Sequence, residues 1–199
     1  MRPVQFPVNL NLAGRAVLVV GGGRIALRKT GQLLSAGASL TVVAPEILEE
    51  FDALGPELVR RPFRDSDLDG KRLVVTATGV RSVDQEVFDG AERRGIWVNS
   101  ADDPERCTFT LPAVVRRGSL LVTASTGGAS PALSSYLRNQ LDHCISAGWA
   151  DVADDLSLRR DLVHQRGVST ESIDWVPIIE EVLVEHGIDM ANFHGRTRR

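Results

Sequence analysis

Two hydrophobic periods alternate along the first hundred residues. Short aliphatic and β-branched runs occur at 16–20, 39–44, 57–62, 71–78 and 96–99 and predict five strands. Between them the spacing turns helical. Residues 24–36 carry apolar Ile25, Leu27, Leu33 and Leu34 on helical spacing, with Arg28 and Lys29 between them and Gly37 as the stop. A short helix is expected over 46–53, a helical turn over 65–68 and a helix over 82–94. Strands alternating with helices predict an α/β fold: a Rossmann-like parallel sheet with helices on both faces.

After Ser100 the pattern changes. Two strands, 109–115 and 119–125, are joined by Arg116-Arg117-Gly118, and so short a connection predicts an antiparallel pair. A helix is expected over 131–146. Residues 149–192 read as two or more amphipathic helices separated by Gly167-Val168-Ser169-Thr170, with Thr170 as N-cap and Pro177 in an early turn or at a break. The tail from Gly195 to Arg199 is basic. The expected division is therefore a Rossmann-like domain over 1–112, a small α+β region over 113–147 and a helical region over 148–199.

Composition narrows the possibilities. With 199 residues, 43% of them hydrophobic, the chain can bury a substantial core. A net charge of −3 gives no general attraction to nucleic acid or to an anionic membrane. Cys107 and Cys144 form neither a metal-ligand spacing nor a disulfide framework, as expected of reduced cytosolic thiols. No apolar stretch approaches the ~20 residues of a spanning helix, and the N-terminus lacks a secretory pattern. A cytoplasmic protein is expected.

Three clusters carry candidate chemistry. The first is Gly21-x-Gly23-x-x-Ala26, between a strand and a helix. There Gly21 can take the turn, Gly23 can admit a pyrophosphate to the backbone, and Ala26 lets the helix pack close. Gly22, Arg24 and Ile25 complete this loop. Arg24 is equally suited to a phosphate and to solvent. The second strand ends in Val43-Ala44-Pro45, without the acid that usually holds the adenosine ribose, so the choice between NAD and NADP stays open. Thr78 and Gly79 end the fourth strand, where a doubly wound sheet binds ligands.

The second cluster, Asn99-Ser100-Ala101-Asp102-Asp103-Pro104, offers a carboxylate to accept a proton or ligate a metal, or else a turn in which Asp102 or Asp103 bonds the local backbone. The third, Ser125-Thr126-Gly127-Gly128-Ala129-Ser130-Pro131, precedes a helix. It reads as an anion-receptive N-terminus, as a helix capped by Ser130, or as both. His143, His164, His186 and His194 are scattered and read as surface or core residues.

Together these segments resemble the precorrin-2 dehydrogenases, the N-terminal module of sirohaem synthases. The resemblance rests on Gly21 to Lys29 with Leu33-Leu34-x-x-Gly37-Ala38 and Val42-Val43-Ala44-Pro45. It continues in Val98-Asn99-x-x-Asp102-Asp103-Pro104 with Cys107 and Phe109, and in Ser125-Thr126-Gly127-Gly128-x-Ser130-Pro131-Ala132-Leu133. It covers about 10–142. It implies NAD-dependent oxidation of precorrin-2 to sirohydrochlorin, in the sirohaem or cobalamin pathway, and a homodimer joined through the region after the sheet. In some members the same site inserts ferrous iron, so a ferrous or cobaltous ion is a possible substrate.

The resemblance makes Asp102 the general base, and the metal-guiding residue in a chelatase. It puts Gly21–Ala26, Ala44, Pro45, Thr78, Gly79 and Asn99 at the cofactor, and Thr126, Gly127, Gly128 and Ser130 at the tetrapyrrole. Arg116, Arg117 or Arg138 could meet the substrate's carboxylates. A chain of 199 residues leaves no room for a methyltransferase domain, so a stand-alone enzyme is expected. The alternatives are a ferrochelatase with a vestigial dinucleotide site and a regulatory dinucleotide-sensing module.

Overall fold

A computed structural model describes residues 4–101 and 103–189. The chain divides into two compact units, Met1–Thr110 and Leu111–Arg199. The segments 113–147 and 148–189 both lie in the second.

In the first unit five strands form one parallel sheet: β1 (Ala16–Val20), β2 (Ser39–Ala44), β3 (Glu57–Arg60), β4 (Leu73–Thr76) and β5 (Trp97–Ser100). Their order is β3-β2-β1-β4-β5. β1 is therefore central, and the chain crosses from one side of it to the other between β3 and β4. Helices α1 (Arg24–Ser35) and α2 (Arg81–Arg94) supply crossovers. Covered on both faces, the central strands read as continuous apolar runs rather than alternating ones.

The pleat divides each strand between two core layers. Val17, Val19, Val42 and Val75 join Ala26 and Leu33 of α1 and Phe51 in one layer. Leu18, Val20, Val74 and Val98 join Val87 and Ala91 of α2 in the other. Phe51 is fully buried, on a 3-10 turn over Glu49–Leu54 where the sequence predicts a helix over 46–53. Phe51→Ala should destabilise the protein by about 4 kcal/mol, measured as a shift in the urea midpoint.

The fourth strand is shorter than its β-branched pattern. It covers Leu73–Thr76, and the next residue, Ala77, packs its carbonyl against the glycine loop, where a Cβ on Gly21 would lie 2.5 Å from it. Glycines in the left-handed region end both crossover helices: Gly37 (φ 77°) after α1 and Gly95 (φ 65°) after α2.

The second unit holds an antiparallel hairpin of β6 (Ala113–Arg117) and β7 (Leu120–Ala124), then α3 (Pro131–Cys144), α4 (Trp149–Gln165) and α5 (Val176–Glu185). Arg116 and Arg117, expected in the connection, are the last residues of β6 and pair with Leu121 and Leu120. The turn is Gly118-Ser119, with Gly118 at φ 54° supplying the left-handed position a two-residue hairpin needs. The cap after Gly167 is Ser169, whose hydroxyl accepts from the Glu171 amide at 3.3 Å; Thr170 instead starts a 3-10 turn. Pro177 lies in the first turn of α5, where its missing N–H costs nothing. Val152, Val182 and Leu183 form the small core between α4 and α5. The basic tail from Gly195 lies outside the described residues.

Arg159 ties α4 to α5, reaching Asp155 at 3.0 Å and Glu185 at 2.6 Å. Its guanidinium, with His186 second, holds the Asp155 carboxyl below the ordinary carboxylate value. Arg94, Arg61 and Arg117 do the same for Asp65, Asp67 and Asp142. A depressed carboxyl contributes stability that is complete above its unfolded pKa and is lost as pH falls through the folded one. Stability should therefore be flat at neutral pH and fall below about pH 4. Urea unfolding at pH 7, 4 and 3 checks this, and Arg159→Met should shrink the acid loss.

Candidate dinucleotide-binding site

The site begins where β1 ends. Gly21 has φ 125°, a conformation that side-chain-bearing residues rarely adopt. A Cβ there would sit 2.5 Å from the Ala77 carbonyl oxygen. The Gly21 amide donates to the Val43 carbonyl at 2.9 Å, and the Ala77 amide to the Val20 carbonyl at 2.8 Å. The loop is thus wedged between the ends of β2 and β4. Gly22 lies against the turn after β2: its carbonyl accepts from the Leu48 amide at 3.0 Å, and a Cβ would meet the Glu46 carbonyl oxygen at 2.0 Å.

Gly23 differs from both. It is the N-cap of α1 at an ordinary φ of −89°, and a Cβ there would meet nothing within 4 Å. No side chain caps α1, and no acid lies in its first turn. An uncapped helix start beside open space is the arrangement that receives a phosphate.

Around this loop opens a cavity of about 870 Å³. Gly21, Gly22, Gly23, Ala44, Pro45 and Thr78 all line it, so these sequence-predicted residues meet in one place. Its volume falls in the range of ligand pockets, and the glycine cradle suits a dinucleotide pyrophosphate. Ala26 is buried under α1 and lets the helix approach the sheet. Arg24 and Ile25 are exposed and are not part of the lining.

A smaller hollow of about 380 Å³ lies nearby, lined by Gly79, Arg81, Asp84, Ala101, Asp103 and Glu105. Asp84 was not apparent from sequence. Its Oδ1 accepts from the Thr76 hydroxyl and, at 2.7 Å, from the Thr78 hydroxyl, fixing the end of β4. Only an acid in the first turn of α2 hinted at it.

The chain after β5 is held by several polar groups. Asn99 is buried. Its Nδ2 donates to the Phe109 carbonyl at 3.0 Å, and its Oδ1 accepts from Lys29 Nζ of α1 at 3.3 Å. The Cys107 thiol accepts from the Ser100 amide at 3.3 Å and lies 3.2 Å from the Asp103 carbonyl; burial pushes its pKa up. Asp103 pairs with Arg106 and accepts from the Glu105 amide at 3.2 Å, which makes it the turn-closing carboxylate. Buried Arg106 also donates to Gln85 of α2 at 2.6 Å. Asp102 lies outside the described residues; its neighbours Ala101 and Asp103 are both anchored, Ala101 through its amide to Thr76 at 2.8 Å.

In the second unit, Gly127 (φ 59°) and Gly128 (φ 77°) carry the chain through a left-handed turn before α3. Ser130 caps the helix, accepting from the Leu133 amide at 3.2 Å, and its own amide donates to Thr126 Oγ1 at 2.9 Å. Part of the donor set expected for an anion is thus satisfied within the loop. Arg117 donates to the Ile145 carbonyl at 2.9 Å and pairs with Asp142 at 2.9 Å, so it secures the end of α3. Among the described residues no three of His, Cys, Asp and Glu gather closely enough to hold a metal ion, and no helix is long and apolar enough to cross a membrane.

A 3-2-1-4-5 parallel sheet whose glycine loop and uncapped helix open onto a cavity at the strands' carboxyl ends defines a dinucleotide-binding protein of the Rossmann class. Residues 8–113 match the family described as "Putative NAD(P)-binding". The siroheme synthase of Pseudomonas entomophila is 38% identical over 195 residues, covering 92% of this chain and 42% of that protein. The siroheme synthase of Chromobacterium violaceum is 40% identical over 186 residues, covering 90% and 40%. The chain thus spans about two fifths of the length of the curated relatives it matches. A solved structure, "SirC, precorrin-2 dehydrogenase", superposes with a TM-score of 0.70 at 29% identity, covering 92% of this chain and 99% of that one. The chain belongs to the family of precorrin-2 dehydrogenases and siroheme synthase N-terminal modules.

Proposed function

We propose that this protein oxidises precorrin-2 to sirohydrochlorin with NAD as the hydride acceptor. The observation that carries this reading is the likeness to the precorrin-2 dehydrogenase along nearly the whole of both chains, joined to a glycine cradle that leaves open space at Gly23. The bound nicotinamide supplies a two-electron acceptor for a hydride from a ring carbon of the substrate. The chain's own task is to seat the cofactor and to take the paired proton. Gly21–Gly23 and the start of α1 hold the pyrophosphate, while Ala44, Pro45 and Thr78 wall the cavity. Asp102 accepts the proton, on a loop held by Cys107, Asp103 and Arg106. Gly79 and Asn99 flank that loop, and Asn99 links it to α1 through Lys29.

The loop of Thr126, Gly127, Gly128 and Ser130 contacts the tetrapyrrole, whose carboxylates meet Arg116 or Arg138, since Arg117 is engaged by Asp142. The active form is a homodimer. α3 buries no residue and presents Leu133, Tyr136 and Leu137 at i, i+3 and i+4, an apolar stripe suited to a second copy. The test is anaerobic incubation with precorrin-2 and NAD, followed by ferrous or cobaltous ion. Sirohydrochlorin and NADH should form together. A metallated product that forms faster than in a protein-free control, with the gain lost in Asp102→Ala, would support insertion at the same site. Insertion into sirohydrochlorin with no NAD-dependent step would favour a chelatase, and dinucleotide binding without tetrapyrrole binding would favour a sensing module.

A further inference from the structure

β2 ends without a carboxylate, and the chain places three of them just beyond it. The turn after Pro45 is docked on the glycine loop: the Leu48 amide reaches the Gly22 carbonyl at 3.0 Å, and the Glu46 carbonyl oxygen fills the place of a Gly22 Cβ. Glu46, Glu49 and Glu50 follow, all exposed and all lining the cofactor cavity. They are its only charged lining among the described residues; no arginine or lysine lines it. None of the three is ion-paired among the described residues. Cations flank the lining in sequence without entering it, among them Arg24, Arg60, Arg61, Arg64 and Arg81. Arg60, at the end of β3, donates to the Ile47 carbonyl at 2.8 Å and faces Asp52 at 4.0 Å. Arg24, at the start of α1, is not part of the lining.

We propose that Glu46, supported by Glu49 and Glu50, makes this cavity select NAD over NADP, a proposal that rests on the dinucleotide reading of the site. An adenosine ribose leaving the glycine loop along the end of β2 meets this turn. Its hydroxyls can donate to a carboxylate, the part played elsewhere by an acid at the end of β2. A 2′-phosphate brings ~2 negative charges at neutral pH. It would face up to three like charges, with no cation in the lining to answer it. The discrimination is electrostatic and partly exposed, so it weakens as salt rises.

Calorimetric titration of the full chain with NAD and with NADP tests this without reference to turnover. At low salt the protein should bind NAD at least about tenfold more tightly than NADP, and the ratio should narrow with added salt. Glu46→Gln should lose most of the preference. The triple variant Glu46→Gln, Glu49→Gln, Glu50→Gln should bring the two affinities within about threefold, chiefly by tightening NADP. Glu92→Gln, an exposed neutralisation on α2, should leave the ratio unchanged. Should the triple variant not fold, the three single variants carry the same comparison. Equal affinities in the unaltered protein, or a ratio that the neutralisations do not move, overturn the proposal and leave the dinucleotide site standing. Binding of neither cofactor overturns both.

Discussion

Alanine at Gly22 is expected to destroy the dinucleotide site, whereas alanine at the adjacent Gly23 should empty it without disturbing the fold. The two glycines face different surroundings. A methyl group on Gly22 would lie 2.0 Å from the Glu46 carbonyl oxygen and 2.7 Å from the Ile47 Cα. Both are backbone atoms of a turn that is hydrogen-bonded back to Gly22, so neither can move cheaply. Gly22→Ala should cost about 3 kcal/mol of stability, the upper range of overpacking, and NAD binding should vanish with the loop's shape. A methyl on Gly23 meets nothing within 4 Å, and its backbone needs no left-handed conformation. Gly23→Ala should hold the unfolding midpoint to within about 0.5 kcal/mol while reducing NAD affinity by about tenfold or more, because the methyl occupies the space through which a pyrophosphate approaches. Urea unfolding and calorimetric titration of both variants check the contrast. Equal loss of stability in the two would mean the glycines serve only the turn.

The second large effect is expected at Asp102. Asp102→Asn should lower turnover of precorrin-2 by about 10²–10⁴-fold, the range for removing a general base, with NAD affinity within twofold of the unaltered protein. Asp103→Asn should behave differently. Asp103 already serves Arg106 and the Glu105 amide, so neutralising it should cost about 2 kcal/mol of stability by leaving the buried guanidinium less well paired. Its effect on turnover should follow from the loosened loop. Steady-state kinetics and urea unfolding of both variants separate the roles. Full activity in Asp102→Asn would remove this residue from the proton step.

The parallel sheet was legible because both of its signals are local. Strands covered on two faces show as unbroken aliphatic runs at 16–20 and 73–75, and a glycine cluster between a strand and a helix has few other uses. The lining residues Gly21–Gly23, Ala44, Pro45 and Thr78 could be named for the same reason: each lies at the carboxyl end of a strand, and in this topology those ends converge. What the pattern could not show was partner choice across long sequence separations. Asp84 binds Thr76 of β4 and Thr78 just beyond it, Arg106 reaches Gln85 on α2, and Lys29 reaches Asn99 across 70 residues. Each reads in sequence as an ordinary solvated helix or turn residue. Arg116 and Arg117 read as part of the turn, but they pair with Leu121 and Leu120, and the left-handed Gly118 places the turn at Gly118-Ser119. The three glutamates after Pro45 gave no signal because the expected acid belongs at the strand's last position, and these lie in the following turn.

The central claim is that the glycine loop seats the acceptor for oxidation of a tetrapyrrole. Its most direct test is the stoichiometry of one anaerobic reaction, with precorrin-2 and excess NAD added to the purified protein and both products followed by absorbance. One NADH should appear for each sirohydrochlorin formed, and Gly23→Ala should slow both in step. Sirohydrochlorin formed at the same rate without NAD, or no conversion with either nicotinamide cofactor, would contradict the account.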